Sequence, residues 1–291
     1  MSRCVLAVDV GGTKLAAGVV TGDGTLVRAH TVPTPRGTDA EALFATLAAL
    51  LDRLGPDADG APAAVGVGCG GPMDRGGAHV SPLNIPAWRG FPLRDRLAAH
   101  TGLAVFVDND AKALALGEGW RGAARGVRDY LAMVVSTGIG GGIVCDGRLL
   151  DGEDGNAGHV GHVVVEPDGR ECGCGARGCV EAEASGTAIE RITGRPAKDA
   201  PPEVVERAGT LVGRAVASVA NLLDLRLAVV AGSVALGYGE PFFAAAQREI
   251  TARCRLAFSA PTRIVPAGLG GDGPLVGAAA VAWRGLGGYG V

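Results

Sequence analysis

Apolar runs separated by glycine-rich turns recur along the chain and predict its first strands. Residues 5–10 form an apolar run that predicts a buried strand, Gly11 and Gly12 a tight turn, and residues 15–20 the returning strand. The same order of strand, glycine turn and strand recurs in the second half, at 130–135, 136–142 and 143–145. Two copies of one pattern predict a duplicated architecture with a ligand between its halves.

Apolar residues at helical spacing predict amphipathic helices after each hairpin. Thr38 and Glu41 match a capping box before the first helix, whose apolar face would end at Gly55-Pro56. That face comprises Leu43, Phe44, Leu47, Leu50, Leu51 and Leu54. Further helices are predicted at 93–100, 204–223, 241–256 and 274–285, and further strands at 64–67, 104–107, 227–230 and 263–265. This alternation predicts an α/β fold with largely parallel sheets, and 192–203 is the clearest loop.

Composition excludes several classes of protein. The chain has 291 residues, of which 47% are hydrophobic and 20% charged, a globular profile. Its net charge of −3 gives no basic surface for nucleic acid or an anionic membrane. No apolar run reaches the roughly 20 residues of a membrane span, and the start resembles no signal or transit peptide. We therefore expect a cytoplasmic protein with neither nucleic acid nor membrane as partner.

Three thiols and an imidazole lie close together in the sequence. His162, Cys172, Cys174 and Cys179, with glycines between the cysteines, match the ligands of a tetrahedral zinc site. Disulfide or purely structural cysteines are the alternative, but reduced compartments rarely keep disulfides and Cys-x-Cys strains a bridge. The remaining cysteines lie in apolar runs and are predicted to be core thiols: Cys4, Cys69, Cys145 and Cys254.

The glycine turns suit a phosphate group. Gly11, Gly12 and Thr13 would let main-chain amides approach an anion closely. Asp9 would repel phosphate unless a divalent cation stood between them, which predicts Mg²⁺ at Asp9, held through water. A plain β-turn would explain one such turn alone, but the second turn at 137–142 favours phosphate binding. Neither turn is a Walker A sequence or a dinucleotide-binding fingerprint.

Taken together, these motifs resemble the ROK family of sugar kinases over residues 4–285. They are Asp9-Val-Gly-Gly-Thr-Lys14, Asp108-Asn109-Asp110, the turn at 136–142, Gly158-His159-Val160-Gly161-His162 and the cysteine cluster. The resemblance implies an actin-like ATPase fold of duplicated ribonuclease-H-like halves, with ATP in the cleft between two domains. The smaller domain would comprise 1–110 and 276–291, and the larger one, 111–275, would carry the zinc loop.

The resemblance admits both kinases and sugar-responsive transcriptional repressors. Repressors of the family carry an additional helix-turn-helix domain, whereas only a few residues precede Asp9 here, so we expect no DNA-reading element. A sugar-binding protein without catalysis is disfavoured by Asp110, which matches the family's base and could accept the proton of a sugar hydroxyl. Taken alone, Asp110 would equally suit a helix N-cap.

The resemblance also implies the ligand contacts. ATP would be bound by Asp9, Gly11, Gly12, Thr13, Lys14, Thr137, Gly138, Gly140, Gly232 and Ser233. The sugar would be bound by Asn84, Asn109, Asp110, His159, His162 and Glu181. Zinc would be structural, because all four of its ligands come from protein.

The identity of the sugar depends on conflicting signals. Most glucokinases of the family have Glu at the position of His159. The bacterial N-acetylmannosamine kinases have His there, as this chain does. An imidazole offers a donor and an acceptor where a carboxylate only accepts, so the two prefer different hydroxyl patterns. The segment 84–118, with Trp88, looks more like a glucokinase. We expect an ATP:hexose 6-phosphotransferase, with glucose as the leading substrate and N-acetylmannosamine as the alternative. Two questions stay open: whether polyphosphate can replace ATP as the phosphoryl donor, and whether the protein is a dimer or a tetramer.

Overall fold

The computed structural model of the chain describes residues 3–55 and 60–287, which divide into two units. Unit 1 comprises the described residues up to Arg121, the segment Asp151–Ala157 and the described residues from Leu269 onward. Unit 2 comprises Gly122–Leu150 and Gly158–Gly268. Each unit has its own sheet and its own apolar core.

Unit 1 is built on a five-stranded mixed sheet. Its strands are β1 (Cys4–Val10), β2 (Lys14–Thr21), β3 (Leu26–Pro33), β4 (Val65–Cys69) and β5 (Val105–Asn109). Their order is β3-β2-β1-β4-β5; the β1–β2 and β2–β3 pairs are antiparallel, and the β1–β4 and β4–β5 pairs are parallel. The carboxyl ends of β1, β4 and β5 therefore meet at one edge, where the predicted acidic residues lie.

Unit 2 repeats this order. Its strands are β6 (Tyr130–Val135), β7 (Ile139–Cys145), β8 (Arg148–Leu149), β9 (Leu227–Ala231) and β10 (Arg263–Pro266). Read from the other edge, the order β8-β7-β6-β9-β10 has the same two antiparallel and two parallel pairs as unit 1. The duplication is thus confirmed, but the prediction of largely parallel sheets is wrong. Short hairpin turns force half of the neighbours in each sheet to be antiparallel.

The helices of unit 1 flank its sheet. They are α1 (Ala40–Asp52), α2 (Leu93–Thr101), α3 (Asp110–Arg121) and α9 (Gly273–Gly285). All six predicted apolar positions of the first helical segment are buried. Its cap is not Thr38, however: the Asp39 side chain accepts a hydrogen bond from the Ala42 amide at 2.7 Å. The helix ends at Asp52, and Pro56 of the predicted stop lies outside the described residues.

The helices of unit 2 include the longest helix of the described chain. They are α4 (Val180–Ala184), α5 (Gly186–Thr193), α6 (Pro202–Leu223), α7 (Ser233–Tyr238) and α8 (Glu240–Arg253). The longest, α6, packs against α4 and α8. The predicted helix at 204–223 is confirmed by α6, which buries most of its apolar positions but leaves Leu222 exposed. The predicted loop at 192–203 contains a short 3₁₀ turn at Ala197–Asp199 and the first residues of α6.

The second glycine turn is shorter than predicted. Only Ser136–Gly138 form the turn, because β7 begins at Ile139 and its three glycines pair with β6. A Cβ on Gly141 would lie 2.6 Å from Val160 Cγ2, so a bare backbone is needed where the following segment crosses the strand.

The division into units differs from the predicted domains at α3. The sequence placed residues 111–121 in the larger domain, but α3 belongs to unit 1, where it packs against α9. The contact is close because a Cβ on Gly117 would lie 2.9 Å from Gly277 Cα. Residues 151–157 and 269–275, which were also placed in the larger domain, likewise belong to unit 1. The predicted domain residues 1–2, 56–59 and 288–291 lie outside the described residues.

Within residues 3–55 and 60–287, every helix falls short of the combination of length and apolarity that crossing a bilayer demands.

Candidate active-site residues and candidate metal centre

The glycine turn after β1 is fixed by a hydrogen bond across its hairpin and by two from Thr34. The Gly11 amide donates to Lys14 O at 3.0 Å, and the Thr34 amide donates to Thr13 O at 3.1 Å. The buried Thr34 hydroxyl donates to Gly11 O at 2.7 Å. The amides of Gly12 and Thr13 make no hydrogen bond to another described residue. The turn thus offers two adjacent donors to an anion, and Thr34, which the sequence did not single out, holds them.

Asn84 lies against this turn. A Cβ on Gly12 would lie 2.6 Å from Asn84 Cβ, so only glycine lets the two segments approach. The exposed Asn84 belongs to the loop 81–90, which Arg89 holds by donating to main-chain oxygens of Pro82 at 2.7 Å and Ile85 at 3.0 Å. Unit 1 therefore brings a predicted sugar contact next to a predicted phosphate turn.

The loop that carries Asn84 is also anchored by an aromatic pair. Trp88 is fully buried and stacks on Phe91 with ring centroids 4.6 Å apart. Its indole nitrogen donates to Ala40 O at 3.2 Å, at the beginning of α1. These contacts give Asn84 a fixed base, because its loop cannot shift without unstacking a buried tryptophan.

The predicted base lies where β5 passes into α3. Asn109 ends the strand and Asp110 begins the helix. The Ala111 amide donates to Oδ1 of Asn109 at 3.0 Å and to Oδ1 of Asp110 at 2.8 Å. Asp9 and Asp110 flank Gly68 on the strand between them. A Cβ on Gly68 would lie 3.6 Å from Asp110 Cα and 4.0 Å from Asp9 Oδ1. The structure thus gathers Asp9, Asn109 and Asp110 at one sheet edge.

Electrostatics at this edge favour a cation. Burial raises the pKa of Asp9 to about 7, and the negative charge of Asp110 adds to the shift while Lys14 opposes it. Burial, Asp110 and Asp9 also raise the pKa of the Cys69 thiol well above its usual value. A buried carboxylate whose ionisation is resisted, with a second acid beside it, is what a divalent cation with oxygen ligands would stabilise. The donor set therefore fits Mg²⁺.

The corresponding turn in unit 2 is held by the start of α5. The Gly186 amide donates to Ser136 O at 2.7 Å, and the Thr187 hydroxyl donates to Thr137 O at 2.9 Å. The hydroxyl oxygens of Ser136 and Ser233 lie 3.0 Å apart. Two segments predicted to bind ATP, the turn and the start of α7, are thus joined.

The residue before Ser233 must be glycine. Gly232 has a φ of +101°, and a Cβ there would lie 2.3 Å from Val135 O. Gly140, also predicted to contact ATP, lies in β7 opposite Val134 and not in the turn.

Glu181 closes the unit 2 turn from the side of α4. Its Oε2 accepts the Ile139 amide at 2.8 Å, and a Cβ on Gly138 would lie 2.8 Å from the same oxygen. One carboxylate oxygen is thereby committed to the main chain. The half-buried side chain is fixed beside the turn, so its other oxygen is positioned to accept from a ligand hydroxyl.

Two glycines let the histidine segment lie flat on β7. A Cβ on Gly158 would lie 2.5 Å from Gly141 O, and one on Gly161 would lie 2.1 Å from Ile139 O. The exposed rings of His159 and His162 are consequently stacked, with centroids 6.1 Å apart and planes at 24°. The three sugar contacts predicted in this unit, His159, His162 and Glu181, all border β7.

The four predicted metal ligands come together in unit 2. Their ligand atoms all lie within 4.8 Å of one another. His162 Nδ1 is 3.7 Å from Cys172 Sγ, and the sulfurs of Cys174 and Cys179 are 3.8 Å apart. A tetrahedron with zinc–sulfur bonds of about 2.3 Å has sulfur–sulfur edges of about 3.8 Å, so the cluster fits Zn²⁺. The sulfurs are too far apart for a disulfide bond.

The thiols of this cluster differ in their tendency to ionise: burial raises the pKa of Cys172, whereas a hydrogen bond from the Ala176 main chain lowers the pKa of the exposed Cys174. Burial, with the neighbouring Cys172 and Cys174 thiols, raises the pKa of Cys179 to about 12. Thiolates are the form that binds zinc, so metal binding and proton release would be coupled here.

The loop between the ligands is tied to α6 by a buried carboxylate. Glu183 is 1% exposed, and it accepts from the Arg170 amide at 2.6 Å and from Arg207 Nη2 at 2.6 Å. The Arg170 guanidinium forms a second contact with it. The sequence analysis did not single out these residues. The signal available for Glu183 was an acidic residue among apolar ones, two positions after Glu181.

Comparisons with known proteins show the family of this chain. A family model described as the ROK family matches residues 5–284. A glucokinase from Thermotoga maritima is 34% identical over 316 aligned positions, covering 98% of this chain and 98% of the relative. An N-acetylmannosamine kinase from Pasteurella multocida is 36% identical over 253 positions, covering 81% of this chain and 83% of the relative.

Solved structures give the same grouping. A ROK hexokinase from Thermus thermophilus has a TM-score of 0.84 and 36% identity, covering 98% of this chain and 99% of its own. A ROK family glucokinase from Streptomyces griseus, solved in complex with glucose and AMPPNP, has a TM-score of 0.82 and 32% identity, covering 97% and 99%. With the family model matching nearly its whole length, this chain belongs to the ROK family.

Proposed function

We propose that this chain transfers the γ-phosphoryl group of ATP to the 6-hydroxyl of a hexose, with glucose as the leading substrate. Relatives named glucokinase, which are 34–41% identical, support this class of reaction. The observation that carries the proposal is the placement of Asp110. Its carboxylate stands at the carboxyl end of β5, beside Asp9 and on the same sheet edge as the 11–13 turn.

Asp110 is proposed as the general base. It would accept the proton of the sugar 6-hydroxyl as that oxygen attacks phosphorus, while the neighbouring Asn109 orients the same end of the sugar. The Asp110 carboxylate already accepts the Ala111 amide, which fixes its direction at the start of α3. Little covalent chemistry is required of the protein, because phosphoryl transfer depends mainly on positioning and charge stabilisation.

The remaining sugar contacts follow from the side chains at the two sheets. Asn84 in unit 1 would bind a ring hydroxyl. In unit 2, His159, His162 and Glu181 would bind others, His162 through the ring nitrogen that does not face the cysteines. Its Nδ1 faces Cys172 and would bind the metal, which would leave the proton on Nε2 to donate to a sugar oxygen.

ATP would be bound at the glycine turns. The amides and side chains proposed for it are Gly11, Gly12, Thr13 and Lys14 in unit 1 and Thr137, Gly138, Gly140, Gly232 and Ser233 in unit 2. Mg²⁺, held by Asp9 through water, would neutralise phosphate charge when bound. Zn²⁺, held by the four ligands of the cysteine cluster, would cross-link the loop that follows His162. We further propose a cytoplasmic homo-oligomer, a dimer or a tetramer.

N-acetylmannosamine is the second candidate substrate. The observation that favours it is His159, an exposed imidazole where most glucokinases of the family carry a carboxylate. Relatives named N-acetylmannosamine kinase are 36–37% identical over about four fifths of the chain, which supports the same alternative.

A phosphorylation screen tests the proposed function. Purified protein is assayed with ATP or polyphosphate against a panel of hexoses and N-acetylhexosamines, and the phosphorylated position is determined by NMR. We expect ATP-dependent formation of glucose 6-phosphate as the fastest reaction. Transfer to N-acetylmannosamine alone would favour the second candidate. Absence of transfer to every sugar would contradict both.

A further inference from the structure

A buried lysine lies two residues after the proposed base, Asp110. Lys112 is 3% exposed, and its Nζ reaches three oxygen atoms: Asp108 Oδ1 at 3.1 Å, Asp151 Oδ1 at 2.8 Å and Gly155 O at 3.1 Å. An ammonium group has three protons, so this environment satisfies all of them. A lysine is rarely buried to this extent unless it is paired, which indicates a specific role for these contacts.

Arg284 completes the cluster from the end of α9. Its Nη2 donates to Asp151 Oδ2 at 2.6 Å, and its Nη1 lies 3.5 Å from Asp108 Oδ2. Two carboxylates and two cations thus form a closed, neutral group. It joins three parts of unit 1 that are distant in sequence: the β5–α3 junction, the segment Asp151–Ala157 and the last helix.

The cluster encloses the dipeptide Asn109-Asp110. Asp108 precedes it, and the Asp108 carboxylate accepts the Asn109 amide at 2.8 Å. Lys112 follows it and binds the same carboxylate, so the ion pair bridges the junction from one side to the other. A shift of Asp110 would have to break this pair or carry Asp151 and Arg284 with it.

We propose that Lys112 is a positioning residue for phosphoryl transfer, which fixes Asn109-Asp110 through Asp108 and ties residues 151–157 to the same point. The proposal rests on the proposed function, because Asp110 acts as base there. It also assigns a role to Asp151, whose segment leads directly along the chain into Gly158-His159.

The test compares Lys112→Met with the double variant Lys112→Met/Asp151→Asn. The single variant leaves two carboxylates facing one guanidinium, so we expect a lower Tm and a kcat at least tenfold below that of the parent. The Kd for ATP should stay within twofold, and zinc content should not change. Removing the surplus carboxylate in the double variant should restore much of the Tm but not kcat, because Asp108 still lacks Lys112.

Arg96→Met serves as the matched control. Arg96 pairs with Glu41 on the surface of unit 1, at 2.5 and 2.7 Å, away from the proposed site. This variant should lose stability while keeping kcat. A kcat for Lys112→Met within twofold of the parent, or a kcat that recovers together with Tm in the double variant, would overturn the positioning role.

Hydrogen exchange separates this proposal from the proposed function. Amides in peptides covering 105–114 should exchange at least tenfold faster in Lys112→Met, while those of β1 and β2 keep their rates. This readout does not depend on kinase activity. If the parent protein phosphorylated no sugar, the proposed function would fail, but the exchange rates would still decide whether Lys112 holds the junction. Unchanged exchange at 105–114 would overturn the proposal.

Discussion

The two sheets share one strand order but carry different chemistry at corresponding strand ends. In unit 1, Asp9 stands one residue before the end of β1, whereas Val134 occupies that place in β6. β5 leads into Asp110, whereas its counterpart β10 ends at Pro266. The polar groups of unit 2 instead follow β6, at Ser136–Gly138, and β9, at Ser233. Unit 1 therefore presents carboxylates, and unit 2 presents mainly hydroxyls and main-chain amides. Under the proposed function, the duplicated backbone would supply a base at one edge and neutral donors for an anion at the other.

The two edges are also held in different ways. The acidic edge depends on side-chain ion pairs, since Lys112 and Arg284 bind the carboxylates of Asp108 and Asp151. The neutral edge depends on hydrogen bonds to the main chain, such as Gly186 to Ser136, and on the cysteine cluster behind it. Substitutions should accordingly affect turnover in unit 1 and ligand affinity or loop order in unit 2.

Removal of the cross-link in unit 2 should have the largest effect. The parent protein should carry about one zinc per chain. Cys174→Ala should lose that zinc and abolish sugar phosphorylation, because the loop after His162 would lose its order. Unit 1 should stay folded, since it has its own core. Metal analysis and activity assays check this outcome.

Cys145→Ala is the control for this prediction. Cys145 lies in β7 of the same unit but outside the cluster, so the variant should keep both zinc and activity. Parent protein without zinc in a fresh, unchelated preparation would contradict the metal assignment.

Loss of the base should give the next largest effect. Asp110→Asn should lower kcat by a factor on the order of 10² or more, because the amide cannot accept the proton of the sugar hydroxyl. Steady-state kinetics on the best sugar measures this. Asp95→Asn, an exposed acid in the first turn of α2, should leave kcat unchanged. Near-parental turnover of Asp110→Asn would show that another group is the base.

A change at His159 should be smaller and should alter selectivity more than rate. His159→Glu should raise the preference for glucose over N-acetylmannosamine by ~1–2 kcal/mol, the scale of one hydrogen bond gained or lost with a ligand. The ratio of kcat/KM for the two sugars in parent and variant gives the answer. An unchanged ratio would mean that this imidazole only packs beside His162 and does not contact the substrate.

Local patterns in the sequence predicted much of this molecule. The fold class, the duplicated hairpins and the apolar faces of α1 and α6 follow from periodicity and family motifs. The four metal ligands were close in sequence, and the structure brings their atoms together. Strand β3 was missed because Arg28 and His30 occupy its inward positions and conceal the alternation.

Long-range polar contacts could not be predicted in this way. Arg284 and Asp151 are 133 residues apart in sequence, and Lys112 and Asp151 are 39 apart. Nothing in the local pattern around Lys112 distinguishes it from a solvated lysine on a helix. Likewise, Asp39 replaces Thr38 as the cap of α1, since adjacent capping residues differ only in backbone geometry.

The central claim, that the base lies in unit 1 while the turn of unit 2 contributes to ATP binding, is tested most directly by measuring kcat and the Kd for ATP in two variants. Thr137→Val removes an exposed hydroxyl at the unit 2 turn and should weaken ATP binding roughly five- to tenfold, the loss of one hydrogen bond, with kcat nearly unchanged. Asp110→Asn should show the opposite pattern, with ATP affinity within about twofold and turnover reduced on the order of 10²-fold. If Thr137→Val lowered kcat without weakening ATP binding, or Asp110→Asn lost ATP affinity but kept its turnover, this division between the two units would be contradicted.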